Sequence, residues 1–352
     1  MHDADTRLAY PRDVHHWIRG EVRSDYERTA RILGDCVDVV SIQHEYGIWG
    51  GADGEYVLDF VRALQVPSVA TLHTVLQNPT SGQRAVLSEL VVRTDATVVM
   101  SRSAARLLTT AYGVDSSRVQ VIPHGVPNVP FINDAAVKPG LGVAGRAVIL
   151  SFGLLSPGKG YELVLDALPA VVESDPTALY VIVGATHPSL IRREGEAYRV
   201  GLAEHVRRLG LDNHVRFVDR YVDRGELIRW LQATDIFVTP YPNLDQIVSG
   251  TLSYAMGAGR AIVSTPYAYA AELLADGRGM LTIPGSPVAL AHALVELLCD
   301  DGLRAAMGRR AYAYSRAMVW SSVGAEYRRV FADVLGNGAP TFDAGALVPA
   351  HA

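Results

Sequence analysis

The sequence predicts an α/β protein made of two doubly wound halves. Short β-branched runs alternate with helical patterns, the alternation falls into two blocks, and a stretch rich in proline and glycine separates them. In the first block the strand-like runs are Val37–Ile42, Ser68–Leu72, Ala96–Met100 and Val119–Ile122, with helical patterns near Tyr56–Leu64, Gly82–Val92 and Ser101–Tyr112. In the second they are Ala147–Phe152, Leu179–Gly184, Val215–Val218, Ile236–Thr239, Ala261–Ser264 and Met280–Ile283. Leu163, Val164, Ala167, Leu168 and Val171 have the spacing of a helix packed on a sheet. Between the blocks, Gly125–Arg146 carries Pro127, Pro130, Pro139, Gly140, Gly142 and Gly145, which suits a hinge. The tail 336–352, with Pro340, Gly345 and Pro349, reads as disordered, and no internal repeat is evident.

Composition narrows the class. At 352 residues, 49% hydrophobic and 20% charged, the chain can bury a large core and is long enough for two domains. A net charge of −5, from 32 basic against 37 acidic residues, argues against a nucleic-acid binder working through a general basic surface and favours small-molecule partners. Cys36 and Cys299 are too few and too far apart for a disulfide framework or a metal cluster, so cytosolic free thiols are the simple reading, and no zinc spacing is present. No cofactor is expected. The start, Met1 to Thr6, has neither a basic nor an apolar leader region, and no run reaches the ~18 apolar residues of a membrane span. The expectation is a cytoplasmic protein whose membrane association, if any, is peripheral.

The most informative stretch is Gln246–Ser264. Ser249 and Gly250 stand where a helix through Thr251, Leu252, Ala255 and Met256 begins, so free backbone N–H groups and the positive end of the helix dipole could hold a diphosphate. Gly250 has no Cβ to hinder that approach. Gly257 and Gly259 end the helix, and Ala261–Val263 reads as a buried parallel strand. An ordinary helix start in an α/β domain fits the same residues.

Ligands of open parallel sheets bind beyond the carboxyl ends of the strands, so the residues just after each strand are the candidates. Gln43–Gly51 follows the first strand and holds His44, Glu45, Gly47, Gly50 and Gly51, suited either to close ligand approach with proton or hydroxyl contacts or to a glycine-rich surface turn. His73 follows the second strand and gains weight because His44 should open onto the same edge. His124 sits at the entry to the linker, where a turn role is equally open. In the second half, Phe152–Gly160 includes Gly153 and places Lys159 where an ammonium could meet phosphate or simply be solvated, and His187 closes the next strand.

In order along the chain, Ile122-Pro-His-Gly-Val126, Phe152-Gly153 with Lys159-Gly160, Val181–Gly184, Asp235–Pro240, Ala255–Gly259 and the helix around Trp320 resemble the GT-B glycosyltransferases, specifically the large retaining family that includes bacterial mannosyl- and glucosyltransferases. The resemblance runs from about Val37 to Leu335. It implies two Rossmann-like domains facing a cleft, a nucleotide-diphospho-sugar donor held mainly by the second, an acceptor held mainly by the first, and no need for a metal. The expected domains are therefore 1–135, joined by the returning helix 320–334, and 136–319. Lys159 matches the family's phosphate-binding lysine, whereas the arginine usual five residues earlier is Leu154, and the paired glutamates fall on Gln246 and Tyr254. Gln246 can still bond sugar hydroxyls, but Tyr254 cannot accept from both ribose hydroxyls as a carboxylate does. On the acceptor side His73 matches the cleft histidine and the His44–Gly51 loop a glycine-bearing loop near the transferred sugar.

About 36 residues precede the first convincing strand, and they contain only Gly20 and Gly34, so the first domain reads as truncated, with a late start favoured over a natural reduction. The function implied is transfer of a hexose from a nucleoside diphosphate sugar, GDP-mannose or UDP-glucose, to a saccharide or lipid-linked hydroxyl with retention. His73, His44 and Glu45 would orient the sugar or acceptor, while Gly153, Lys159, His187, Gln246, Ser249, Gly250, Thr251 and Tyr254 would hold the donor. The departures leave two other classes open: a phosphorylase of the same architecture, and a non-catalytic sugar- or nucleotide-binding protein.

Overall fold

The computed structural model describes residues 10–132 and 134–336. The expected tail, 336–352, lies outside the described residues except for Gly336. The chain divides into two compact units, one formed by the described parts of Met1–Pro123 and Val323–Ala352, the other by His124–Ser322.

In the first unit the elements are α1 (Arg23–Gly34), β1 (Val40–His44), α2 (Tyr56–Ala63), β2 (Ser68–Leu72), α3 (Ser81–Arg93), β3 (Ala96–Val99), α4 (Arg102–Tyr112) and β4 (Val119–Val121). The four strands form one parallel sheet in the order β1-β2-β3-β4. β2 and β3 are buried along their whole length, which is why their runs are continuously apolar or β-branched rather than alternating. Val69, Val98 and Ile122 pack with Val323 and Val330 from the end of the chain, and Thr71 Oγ1 lies 3.0 Å from the Tyr327 hydroxyl. Before β1, the buried carboxylate of Asp25 accepts from Arg19 Nε at 2.7 Å and Arg28 Nη2 at 2.9 Å, and these guanidinium contacts lower its pKa to about 2.

The second unit runs β5 (Ala147–Phe152), α5 (Tyr161–Ser174), β6 (Ala178–Val183), α6 (Pro188–Glu194), α7 (Ala197–Arg208), β7 (Val215–Val218), α8 (Arg224–Gln232), β8 (Ile236–Thr239), α9 (Gly250–Gly257), β9 (Ala261–Ser264), α10 (Ala268–Leu273), β10 (Met280–Leu281), α11 (Pro287–Cys299), α12 (Asp301–Ser315) and the start of α13 (Trp320–Val334). Its six strands are parallel in the order β10-β9-β8-β5-β6-β7. Alternate residues feed two apolar layers: Val148, Leu150, Val181 and Phe237 enter one, Ile149, Tyr180, Ile182 and Val238 the other. With both faces covered, polar strand residues must be paired internally. Ser151 Oγ accordingly donates to the Val238 carbonyl at 2.7 Å and accepts from the Tyr180 hydroxyl at 3.0 Å.

The boundary differs from the expected 135/136. Residues after Pro123 are built into the second unit: Val126 pairs with Val319, the Tyr312 hydroxyl donates to the Val129 carbonyl at 2.8 Å, and Lys138 meets Asp235 at 2.7 Å. The proline- and glycine-rich composition marks a chain without regular structure, not one without partners. No helix among the described residues is long and apolar enough to cross a membrane.

Candidate active site

In the second unit the chain leaves central β5 for β6 and β7 on one side, then returns to β8 on the other. The connections after β5 and β8 therefore diverge, and a crevice opens beyond their carboxyl ends. Two glycines shape the rim. Gly153 has φ 131° and a Cβ there would lie 3.5 Å from Thr251 Cγ2, so the connection after β5 runs against the start of α9. Gly160 has φ 69° and a Cβ there would meet the Pro240 carbonyl at 2.3 Å, which seats the turn carrying Lys159 on the connection after β8.

Lys159 is thereby held 4.4 Å from the centroid of the Tyr241 ring. Tyr241 stacks on Tyr267 at 5.2 Å and 19°, and its hydroxyl lies 2.9 Å from Thr251 Oγ1. Ser249 caps α9: its Oγ accepts from the Leu252 N–H at 3.3 Å, and its carbonyl accepts from the Ser253 N–H at 3.0 Å. Among the described residues the N–H groups of Gly250 and Thr251 have no acceptor, so the helix start presents two donors and a positive dipole end, linked to the Lys159 ammonium through Tyr241. That set of charges and donors suits an anion such as a diphosphate.

His124 reaches the same helix start, since a Cβ on Gly250 would lie 2.9 Å from His124 Nε2. Its Nδ1 donates to the Gly125 carbonyl at 2.8 Å, and its ring is flanked by Tyr254 at 6.1 Å and Trp320 at 6.2 Å. Phe152 extends this aromatic group, 6.4 Å from Tyr254. Two expected donor contacts are partly committed elsewhere. His187 caps α6, its Nδ1 accepting from the Ser189 N–H at 3.1 Å and lying 2.6 Å from Ser189 Oγ, while the Gln246 amide donates to the Val248 carbonyl at 2.7 Å. His187 Nε2, Gln246 Oε1 and the second N–H of the Gln246 amide are left for a ligand.

In the first unit the carboxyl ends of β1 and β2 gather His73, Glu45 and Thr74. The Thr74 hydroxyl donates to Glu45 Oε2 at 2.5 Å, and the Tyr46 N–H donates to Glu45 Oε1 at 3.0 Å. His73 Nε2 is 2.8 Å from Gln43 Oε1, and burial lowers its pKa against the opposing pull of Glu45. His44 requires a correction. Along β1 Ser41 and Gln43 face outward whereas Val40, Ile42 and His44 face inward, so His44 is fully buried and, among the described residues, neither ring nitrogen has a hydrogen-bond partner. It packs edge-on against Tyr46 at 5.0 Å, and burial, aided by His73, lowers its pKa to about 4. A neutral, enclosed imidazole of this kind belongs to the core.

The loop glycines divide similarly. A Cβ on Gly50 would lie 1.9 Å from the Gly20 carbonyl, and the Gly50 N–H donates to the Tyr26 hydroxyl at 2.9 Å. Gly51, at φ 81°, would press a Cβ onto the Tyr56 ring at 2.7 Å. Packing alone requires glycine at both positions, whereas a Cβ on Gly47 would meet nothing within 4 Å. Tyr241 and Gln43 were not singled out by sequence. A tyrosine after a buried strand and a glutamine within one carry no local signature of the partners that make them informative.

Both halves of the chain match known families. Residues 8–128 match the family described as Glycosyltransferase Family 4, and residues 146–300 match Glycosyl transferases group 1. The phosphatidyl-myo-inositol mannosyltransferase of Mycobacterium leprae is 30% identical over 282 residues, covering 79% of this chain and 70% of that protein. The D-inositol 3-phosphate glycosyltransferase of Corynebacterium glutamicum is 25% identical over 291 residues, covering 78% and 68%. Among solved structures, Anabaena HepE in complex with UDP superposes with a TM-score of 0.73 at 20% identity, over 88% of this chain and 82% of its own. The two parallel-sheet units are those of the GT-B architecture. With both units matched to glycosyltransferase families and a 30% identical relative spanning most of the chain, this enzyme belongs to the group 1 glycosyltransferases.

Proposed function

We propose that the enzyme transfers a hexose from a nucleoside diphosphate sugar, GDP-mannose or UDP-glucose, to a saccharide or lipid-linked hydroxyl with retention of configuration. The observation that carries this reading is the convergence of the Lys159 ammonium and the open N–H groups of Gly250 and Thr251 at the β5/β8 crevice. Cleavage of the sugar–phosphate bond leaves charge on the diphosphate, and donors fixed in advance around that charge lower the barrier without reorganising. Tyr254 and the Phe152–His124 aromatic group supply flat apolar surface beside the helix start, where a ring of the donor can pack. In the first unit His73 and Glu45 are the polar groups that would orient the acceptor.

The names of the mycobacterial and corynebacterial relatives, a mannosyltransferase and a glycosyltransferase of inositol compounds, support a hexose donor and a hydroxyl acceptor. Retention rests on the family resemblance. The test is a panel of nucleotide sugars offered to the purified full chain with inositol-bearing and saccharide acceptors, product anomers being assigned by NMR. Transfer should occur with one donor class, keep the donor's anomeric configuration and fall sharply in Lys159→Ala. An inverted product would remove the stereochemical part. Turnover that requires inorganic phosphate and no nucleotide would replace the whole reading.

A further inference from the structure

The geometry points to Tyr241 as a positioning residue that couples the two halves of the diphosphate site, the Lys159 ammonium and the start of α9. This rests on the functional reading above and adds a residue to it. Lys159 forms no ion pair among the described residues, and its nitrogen instead lies 4.4 Å from the Tyr241 ring centroid. A carboxylate in that place would orient the ammonium but also neutralise it. An aromatic face orients it through its quadrupole and leaves the full positive charge for an incoming anion. The sequence also has Leu154 where a second cation could have stood, so the placement of this one ammonium matters more.

The hydroxyl of the same ring acts on the other half. It lies 2.9 Å from Thr251 Oγ1, which is 3.1 Å from Ser249 Oγ, the group that caps α9. Thr251 is thus held through its side chain while its N–H remains open. Tyr241 is itself fixed: it is 3% exposed, its ring is stacked on fully buried Tyr267, and its carbonyl accepts from Thr265 Oγ1 at 2.6 Å. A rigid ring contacting both phosphate-directed groups can hold their separation constant, which flexible side chains alone cannot do.

The test is calorimetric binding of UDP and GDP to the full chain and to variants in two cycles. Tyr241→Phe keeps the ring and removes the hydroxyl; it should weaken the preferred diphosphate about fivefold in the parent and not at all in a Thr251→Val background. Tyr241→Leu removes both contacts; it should weaken binding about tenfold or more in the parent, and markedly less in a Lys159→Ala background. Near-ultraviolet circular dichroism checks that Tyr241→Leu keeps its packing, and Tyr241→Phe decides the matter if it does not. Equal penalties in parent and background would overturn the coupling, as would unchanged binding in both Tyr241 variants while Lys159→Ala binds weakly. If the parent chain binds neither UDP nor GDP, the functional reading itself fails and takes this inference with it.

Discussion

His73 Nε2 lies 2.8 Å from Gln43 Oε1, and the amide nitrogen of Gln43 donates to Ser41 Oγ at 3.2 Å. The serine contact sets the amide so that its oxygen faces the ring, which fixes the His73 proton on Nε2 and leaves the lone pair on Nδ1. Gln43→Leu should therefore lower kcat by about tenfold while changing donor affinity little. Gln43→Glu places a carboxylate against the ring and favours imidazolium, raising the pKa that burial now holds down. The acidic limb of the kcat profile should move to higher pH. Superimposable profiles for the parent and Gln43→Glu would remove His73 from the proton inventory of the reaction.

Gly160→Ala tests the seat of Lys159. The position has φ 69° and would bring a Cβ to 2.3 Å from the Pro240 carbonyl, so the turn must shift as well as strain. A stability loss of roughly 1–3 kcal/mol is expected, with a rise in donor KM from the displaced ammonium. At Gly158, two residues earlier, a Cβ would meet nothing within 4 Å. Gly158→Ala should leave urea midpoint and KM near the parent values, and similar effects at both glycines would mean the Pro240 contact is not what matters.

The buried imidazole of His44 should make the first unit sensitive to mild acid. Its folded pKa is about 4 against an ordinary 6.5, so between these values the unfolded chain binds a proton that the folded chain refuses. Stability is complete above pH 6.5 and falls as pH drops toward 4, by roughly 3 kcal/mol from this residue. His73, also lowered, adds to the trend in the same direction. His44→Leu should flatten the dependence of the urea midpoint between pH 7 and pH 4. A slope as steep as the parent's would place the acid sensitivity elsewhere.

Lys138 and Asp235 form an ion pair at 2.7 Å with side chains only 11% and 7% exposed. Asp235 also accepts from the Val148 N–H at 2.6 Å, joining the segment before β5 to the amino end of β8. Lys138→Met takes the ammonium contact away from this buried carboxylate and should lower stability, by up to roughly 3–5 kcal/mol. The pair lies at the amino ends of the strands and Lys159 beyond their carboxyl ends, so activity well below the melting temperature should survive. Lost turnover in a folded Lys138→Met protein would contradict that separation.

Much of the fold was legible because parallel strands buried on both faces must be short apolar runs. Ser68–Leu72, Ala147–Phe152, Val215–Val218, Ile236–Thr239 and Ala261–Ser264 have the bounds their composition gives. β1 shifts from Val37–Ile42 to Val40–His44, because His44 and Gln43 look like loop residues until their pairing with Leu72 and Thr71 is known. Beyond β5 and β8, the positions of Lys159 and Ser249–Thr251 could be read from strand ends and glycines. What composition could not show was which way a residue faces. Gln43 and His44 are neighbours in one strand, and the pleat alone sends one outward and the other into the core.

The last helix crosses the division between the units, with Trp320–Ser322 in the second and Val323 onward in the first. Val323 and Val330 complete an apolar layer with Val69, Val98 and Ile122, residues made some two hundred positions earlier. The unit synthesised first is consequently the one completed last, since its sheet has an uncovered face until almost the whole chain has left the ribosome. A nascent chain halted after β10 would hold an unfinished first unit, whose exposed valines are a natural hold for a chaperone.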